Sequence, residues 1–178
     1  MTRLELEHII RAAAGTANVR DIVVIGSQAI LASFPDAPAE LTVSKEADVF
    51  PREAPERSIV IDGAIGELSL FHQTFGYWAH GVDETTAVLP DGWRARLVKI
   101  ENPNTMGAVG WCLEPHDLAV SKLAAGRQKD LEFVEAMIRR KLVSVHVIRD
   151  RLSTTPALGP QRRQIAEAQL SRWQSNSS

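Results

Sequence analysis

The sequence has little cysteine and no marked excess of charge of either sign. Cys112 is the single cysteine, so no disulfide can form within the chain, and this sparing use of cysteine fits a reducing compartment. The chain has neither CxxC nor HxH spacing, which argues against a zinc site. Its 20 basic and 22 acidic residues leave a net charge of −2, and this balance gives no reason to expect a nucleic-acid coat protein.

The chain also lacks the long apolar runs of membrane and exported proteins. Its first ten residues, MTRLELEHII, have no basic stretch followed by an apolar run, so they do not resemble a signal peptide. No segment has the length and hydrophobicity of a transmembrane helix. We therefore predict a cytoplasmic protein with no membrane association. With 178 residues, 44% of them hydrophobic, the chain is long enough to bury a core as one domain.

Strand signals are confined to the first two thirds of the chain, and helix signals dominate from Pro115 on. This order predicts an α/β (α+β) fold with a small mixed sheet, flanking helices and a helical C-terminal third. We predict an α/β core over residues 1–114 and a helical part over residues 115–178, packed on the core as one unit. The predicted elements are, in order, a helix over 3–14, a strand over 21–25, a helix over 27–32, a strand over 44–50, a helix over 57–67, strands over 78–89, 93–100 and 109–113, and helices over 115–126, 129–140, 144–153 and 160–173.

The predicted hairpin around residues 90–92 and the predicted helix over 57–67 depend on local sequence features. The turn Pro90-Asp91-Gly92 lies between two predicted strands, so those strands are expected to form a hairpin. Segment 57–67 is ambiguous, because its first half favours a strand and Ala64-Ile65-Gly66-Glu67 favours a helix. We predict a helix there.

The segment IVVIGSQA contains the first candidate site. A buried strand runs into Gly26 and Ser27, which open a helix. Glycine lets the backbone approach a ligand closely, and the amides at a helix N-terminus suit phosphate. Such junctions also occur for purely structural reasons, because glycine turns tightly and serine caps helices.

About twenty residues later comes the acidic segment Glu46-Ala47-Asp48-Val49-Phe50. Alternation along a strand places Glu46 and Asp48 on the same face. Two adjacent carboxylates repel each other unless a cation lies between them, and oxygen ligands of this kind suit Mg²⁺. The alternative is an ordinary solvent-facing strand, with Lys45 pairing with one of the acids.

Ile25-Gly26-Ser27 and Glu46-Ala47-Asp48-Val49 together resemble the two motifs of the nucleotidyltransferase fold of the polymerase-β type. In that family a hydrophobic residue, Gly and then Gly or Ser precede a strand of alternating acidic and hydrophobic residues. The resemblance implies that Glu46 and Asp48 bind Mg²⁺ (or Mn²⁺) and that Gly26 and Ser27 bind nucleotide phosphates. Here the spacer between the motifs is somewhat long, and the first acid is Glu instead of the commoner Asp.

A second, more specific resemblance lies in the run from Glu114 to Glu132. The sequence EPHDLAVSKLAAGRQKDLE is similar to the Pro-x-Asp-Leu…Lys-Leu-x-Ala-x-Arg-x-Lys/Arg-Asp signature of bacterial nucleotidyltransferases related to abortive-infection toxins. The turn Leu89-Pro90-Asp91-Gly92-Trp93, followed by Arg96-Leu97, also resembles an uncharacterised bacterial subgroup of these proteins. The two resemblances cover roughly residues 20–140.

The second resemblance implies further nucleotide-binding residues. Lys122 is expected to contact the nucleotide phosphates and to offset charge on the leaving group, and Asp130 to support the site. Arg127 can bind a phosphate or a carboxylate with two parallel hydrogen bonds. The alternative is that Lys122, Arg127 and Asp130 form a salt-bridge cluster that holds two helices together.

Several other residues remain open candidates. A polymerase-type site usually has a third carboxylate on a neighbouring strand, and Glu67, Asp83 and Glu101 are the candidates for it. His72 and His80 flank an aromatic stretch and are either ligands, base-stacking groups or partly satisfied core residues. A set of basic side chains is either an RNA-facing surface or, the blander alternative, a solvated helix face; the set is Arg139, Arg140, Lys141, Arg149, Arg151, Arg162 and Arg163.

The combined prediction is an enzyme that transfers a nucleoside monophosphate from an NTP to a hydroxyl group of RNA, tRNA in particular, or of a protein. A candidate role implied by the resemblance is the toxin of a toxin–antitoxin system, with a cognate antitoxin as partner. The alternative is a catalytically degenerate protein of this fold that binds a nucleotide or a partner without transfer. A weaker one is a structural or antitoxin-like subunit.

Overall fold

The described part of the chain, residues 1–176, forms eight α-helices and five β-strands in the computed structural model. This mixed architecture with a helical C-terminal part confirms the predicted fold class. The strands are β1 (Asp21–Val24), β2 (Glu46–Pro51), β3 (Trp78–Gly81), β4 (Val98–Ile100) and β5 (Val109–Cys112). The helices are α1 (Arg3–Ala17), α2 (Ile30–Ser33), α3 (Ser58–Ile65), α4 (Leu70–Phe75), α5 (Pro115–Ala125), α6 (Gln128–Arg139), α7 (Val145–Ser153) and α8 (Pro160–Asn176).

The strands form one mixed sheet in the order β3-β2-β1-β5-β4. The central strand β1 pairs antiparallel with β2 and parallel with β5. The outer pairs are β2 with β3, which is parallel, and β5 with β4, which is antiparallel. The central position explains why β1 is an unbroken β-branched run, because Ile22, Val23 and Val24 are buried on both faces.

Helices α1 and α3 pack against the sheet around β2 and β3. The strand residues on that face are small or β-branched, and Ala47, Val49 and Ala79 are fully buried. Because side chains alternate along a strand, Glu46 and Asp48 lie on the opposite face. The fold thus separates a packed face of β2 from a polar face.

The helix ends follow the chemistry of their capping residues. Helix α1 begins with the reciprocal bonds of a capping box, in which Thr2 and Glu5 each accept a backbone N–H of the other. Helix α5 has Pro115 in its first turn and ends at Gly126, whose φ of 64° lies in the left-handed region that glycine adopts without strain. Both the start and the end of α5 were predictable from these residues.

The predicted hairpin is wrong. Strands β3 and β4 lie at opposite edges of the sheet, and β4 begins only at Val98. The turn at Pro90-Asp91-Gly92 does form, but a short 3₁₀ helix, Trp93–Arg96, follows it in place of a strand. The Asp91 N–H donates to the Thr154 carbonyl oxygen at 2.8 Å, so this turn belongs to the helical part of the chain. The predicted helix over 57–67 is confirmed as α3.

The chain divides into two compact units. The first contains residues 1–86 and 97–113, and therefore the whole sheet with α1 to α4. The second contains residues 87–96 and the described residues from Glu114 on. Its helix α5 contacts α6, α7 and α8. Among the described helices, none has the length and apolar character needed to cross a membrane.

Candidate metal and nucleotide site

Strand β2 presents two carboxylates on the polar face of the sheet. Glu46 and Asp48 are partly exposed, and the intervening Ala47 is fully buried. The side chains of the two acids are 38% and 28% exposed, so solvent and ions reach both. The predicted same-face arrangement of the pair is therefore present in the structure.

Strand β3 adds a histidine to this pair. Because β3 runs parallel to β2, His80 lies directly opposite Asp48, and Trp78 opposite Glu46. The His80 Nδ1 atom is 3.1 Å from Asp48 Oδ1 and 3.9 Å from Glu46 Oε1. Ligand atoms of Glu46, Asp48 and His80 all lie within 4.8 Å of one another, as a divalent ion requires.

Gly26 lies directly against the Asp48 carboxylate. The Ile25 N–H donates to the Asp48 carbonyl oxygen at 3.0 Å, which holds the end of β1 beside β2. A Cβ atom on Gly26 would be 2.2 Å from Asp48 Oδ2, so only glycine fits without moving the carboxylate. Ser27 follows at the start of a short 3₁₀ turn that continues into α2. The structure therefore brings the Gly-Ser turn and the acidic strand together at one place.

The charges around the pair favour a bound cation. Lys45, which could have neutralised the acids, pairs with Glu5 at 3.8 Å. The nearest basic side chain to the two acids is then the His80 imidazole, whose Nδ1 atom lies 3.1 Å from Asp48 and 3.9 Å from Glu46. Two carboxylates and one imidazole, all accessible, make a donor set that fits a divalent cation. Glu46, Asp48 and His80 are the residues that would hold it.

The three candidates for a third carboxylate lie elsewhere. Glu101 follows β4 at the far edge of the sheet and pairs with Lys99 and with Arg20, and these bonds lower the pKa of its carboxyl. Asp83 follows β3 and accepts hydrogen bonds from Thr85, whereas Glu67 is exposed between α3 and α4. Within residues 1–176, the third ligand that the structure places beside Glu46 and Asp48 is His80.

Lys122, Arg127 and Asp130 form a cluster within the second unit. The Lys122 Nζ atom on α5 lies 3.1 Å from Asp130 Oδ1 on α6, and it also lies 5.6 Å from the ring centroid of Phe133. Arg127 donates to both Asp130 oxygens, at 2.6 and 3.3 Å. Asp130 is nearly fully buried, so this ion-paired carboxylate ties α5 to the start of α6.

The same cluster makes stability depend on pH. Burial alone would raise the pKa of Asp130, but the bonds and charges of Arg127 and Lys122 outweigh it and hold the pKa below its ordinary value of 3.8. A carboxyl with a lowered folded-state pKa stabilises the protein above the ordinary value, and this contribution disappears as pH falls through the lower, folded-state value.

We therefore expect the free-energy difference between wild type and Asp130→Asn to shrink as pH falls below 3.8. Urea unfolding at pH 7, 4.5 and 3 measures it. A difference that stays constant over this range would show that the charge of Asp130 does not stabilise the fold.

A second buried carboxylate explains the motifs around Arg96 and Asp117. Asp117 is fully buried and accepts two hydrogen bonds from the Arg96 guanidinium, at 2.8 and 3.1 Å. Arg151 on α7 lies 3.5 Å away from the same carboxylate. Burial raises the pKa of Asp117 in spite of these arginines. Arg96 and Asp117 thus belong to an internal ion-pair network of the second unit.

The basic side chains proposed for an RNA-facing surface are largely engaged within the second unit. Arg149 and Arg151 pair with carboxylates. Arg162 and Arg163 donate to backbone carbonyl oxygens. These bonds favour a structural role for the four arginines over an RNA-binding one.

His80 is the site residue that the sequence left undecided. Its place beside Asp48 depends on the parallel pairing of β2 with β3, whose paired residues are 32 positions apart in the chain. No local sequence pattern around His80 predicts that pairing. The expectation of a third ligand on a strand next to the acidic strand was the one sequence-based reason to consider a residue of β3.

The fold and the site define a class. A mixed sheet with a Gly-Ser turn packed on an acidic-x-acidic strand is consistent with a nucleotidyltransferase fold. A family model described as "Nucleotidyltransferase of unknown function (DUF6036)" matches residues 4–177, and the chain belongs to this family. No match was found among curated proteins or among solved structures. The predicted relation to nucleotidyltransferases is thus confirmed at the level of the family.

Proposed function

We propose that the protein transfers a nucleoside monophosphate from an NTP to a hydroxyl group, with a divalent cation, Mg²⁺ or Mn²⁺, held by Glu46 and Asp48. The observation that carries this proposal is the contact between Gly26 and the Asp48 carboxylate. It places a backbone turn of the kind that admits phosphate beside two carboxylates that share one strand face. Membership of a nucleotidyltransferase family supports the same reading.

The residues of the first unit have separate tasks in this proposal. The backbone at Gly26 allows a phosphate to approach closely, and the Ser27 hydroxyl donates a hydrogen bond to it. Glu46 and Asp48 would hold the cation, which would supply positive charge to offset that of the phosphates and would make the attacking hydroxyl more acidic. Both acids therefore have to stay ionised and correctly placed.

The resemblance also implies a contribution to nucleotide binding from Lys122, Arg127 and Asp130. Lys122 is proposed to stabilise the pyrophosphate that leaves, with Arg127 and Asp130 in support. The ion pair of Lys122 with Asp130 orients the ammonium group, because it restrains a long and flexible side chain. This part of the proposal rests on the motif. It is tested by Lys122→Ala, which is expected to lower the transfer of label from NTPs.

The acceptor and the biological role are proposed from the resemblance alone. A hydroxyl group of tRNA or of a protein is the proposed acceptor. The proposed role is that of a toxin whose action a cognate antitoxin suppresses. Co-expression with the product of a neighbouring gene tests the role: rescue of growth that the isolated protein inhibits is the expected result.

The test of the proposed activity is transfer of label from NTPs to total RNA or total protein, with Mg²⁺ and with Mn²⁺. Asp48→Ala is expected to lower transfer at least about a hundredfold, because it removes a ligand that holds the cation. Asp36→Asn is the matched control, since Asp36 is exposed in a loop of the same unit. No transfer by the wild-type protein with any NTP and either acceptor pool would contradict the proposed activity.

One observation favours the second candidate, a degenerate member of the family that binds without transfer. His80 Nδ1 lies 3.1 Å from Asp48 Oδ1, and among the described residues the third side chain grouped with the two acids is this histidine and not a third carboxylate. Binding of NTP without transfer, lost in Gly26→Ala, is the result expected of such a protein. Calorimetric titration with each NTP measures it.

A further inference from the structure

We infer that His80 is the third ligand of the cation and that its imidazole makes the site prefer a first-row transition-metal ion over Mg²⁺. This inference rests on the proposed function, in which Glu46 and Asp48 hold a divalent cation. It goes further in naming a nitrogen ligand and the class of ion that this ligand selects.

The position of His80 is set by the sheet and not by a flexible loop. His80 and Asp48 are direct partners in the parallel pairing of β3 with β2. The next residue is also fixed, because the Gly81 N–H donates to Asp62 Oδ1 on α3 at 3.3 Å. Neighbouring side chains on one face of paired strands are close enough to share a ligand. The three ligand atoms thus meet without rearrangement of the backbone.

The His80 side chain is also accessible to an ion. It is 50% exposed, and its Nδ1 atom faces both carboxylates, at 3.1 and 3.9 Å. Beside it on β3, Trp78 packs against His72 with the two rings tilted by 40° and their centroids 4.3 Å apart. His72 accepts the Leu68 N–H at its own Nδ1, so that nitrogen is already used. His80 is therefore the histidine of this region that is placed to bind an ion.

The chemistry of the ligand decides the preference. Mg²⁺ is a hard ion that demands octahedral geometry and keeps oxygen ligands and water. Imidazole nitrogen suits transition-metal ions better, and affinity rises along that series from Mn²⁺. The nitrogen ligand therefore favours the transition-metal ion over Mg²⁺.

The experiment measures binding of Mn²⁺ and Mg²⁺ to the whole protein. Electron paramagnetic resonance follows the binding of Mn²⁺, and competition with Mn²⁺ measures the binding of Mg²⁺. Pulsed electron paramagnetic resonance detects nitrogen coordination through the coupling between Mn²⁺ and ¹⁴N. His80→Ala is expected to weaken Mn²⁺ binding at least about tenfold, to change Mg²⁺ binding less, and to remove the nitrogen coupling. His80→Asp, which restores a third carboxylate, is expected to shift the preference back towards Mg²⁺.

Two further variants separate the possible results. His146→Ala is the matched control, because His146 is an exposed histidine on α7, and it should bind both ions like wild type. Asp48→Ala should lose binding of both ions. If Asp48→Ala loses binding but His80→Ala keeps the nitrogen coupling and the ratio of the two affinities, the inference about His80 is overturned and the proposed metal site stands. If wild type binds neither ion, both fail.

Discussion

Replacing Gly26 by alanine is expected to lower divalent-ion binding at least about tenfold and any nucleotidyl transfer at least about a hundredfold. The reason is steric. The new methyl group would lie 2.2 Å from Asp48 Oδ2, a distance that no side chain tolerates, so the carboxylate must leave its place beside Glu46 and His80. Mn²⁺ titration and the label-transfer assay measure the two losses. Part of the strain falls on the fold as well, at a cost of about 1–3 kcal/mol in the free energy of unfolding.

Gly63→Ala is the matched control for this substitution. Gly63 lies in α3 of the same unit, and a Cβ atom there meets nothing within 4 Å. Alanine is the better helix former by about 0.5–1 kcal/mol, so this variant should bind ions normally and be slightly more stable. A folded Gly26→Ala protein that binds Mn²⁺ as tightly as the Gly63→Ala protein would show that Gly26 does not position Asp48.

The largest expected loss of stability is that of Asp117→Ala. Asp117 is fully buried and is the shared partner of Arg96 and Arg151. Its removal would leave two guanidinium groups without the charge that balances them, at a cost of about 3 kcal/mol in the free energy of unfolding. Urea denaturation, followed by circular dichroism, measures this difference.

Asp150→Ala on α7 is the corresponding control. Its carboxylate is 66% exposed and pairs with the exposed His146 at 3.6 Å. An exposed pair of this kind contributes little, so a change of at most about 0.5 kcal/mol is expected. If the two variants are equally stable, the Asp117 network does not hold the second unit together. The predicted loss of stability in Asp117→Ala would then be wrong.

Gly26→Ala and Asp117→Ala test two kinds of motif residue: those at the candidate site and those that stabilise the fold. Gly26 and Asp48 lie in contact, and in the proposed function their close approach serves the binding of phosphate and a cation. Arg96 and Asp117 are also motif residues, but their contacts are internal to the second unit and stabilise its helices. A match to a family motif thus does not by itself assign a residue to the site.

Some parts of the fold follow from local chemistry and could be predicted. The capping box at Thr2 and Glu5, the proline at the start of α5 and the glycine at its end act within a few residues of themselves. The buried run of β1 and the alternation in β2 are local patterns too. The predicted hairpin failed because a turn sequence fixes a turn but not the pairing of the segments that follow it.

The sequence by itself determined the class of the protein, because the Gly26-Ser27 turn, the Glu46-x-Asp48 strand and the Lys122…Asp130 run are each short patterns of residue type and spacing. Only the tertiary structure decided which third side chain joins the two carboxylates. That choice depends on parallel pairing of β2 with β3, and the free energy of such pairing comes from contacts between residues distant in sequence. For the same reason the need for glycine at position 26 is visible only in the tertiary structure, where the absence of a side chain leaves room for Asp48.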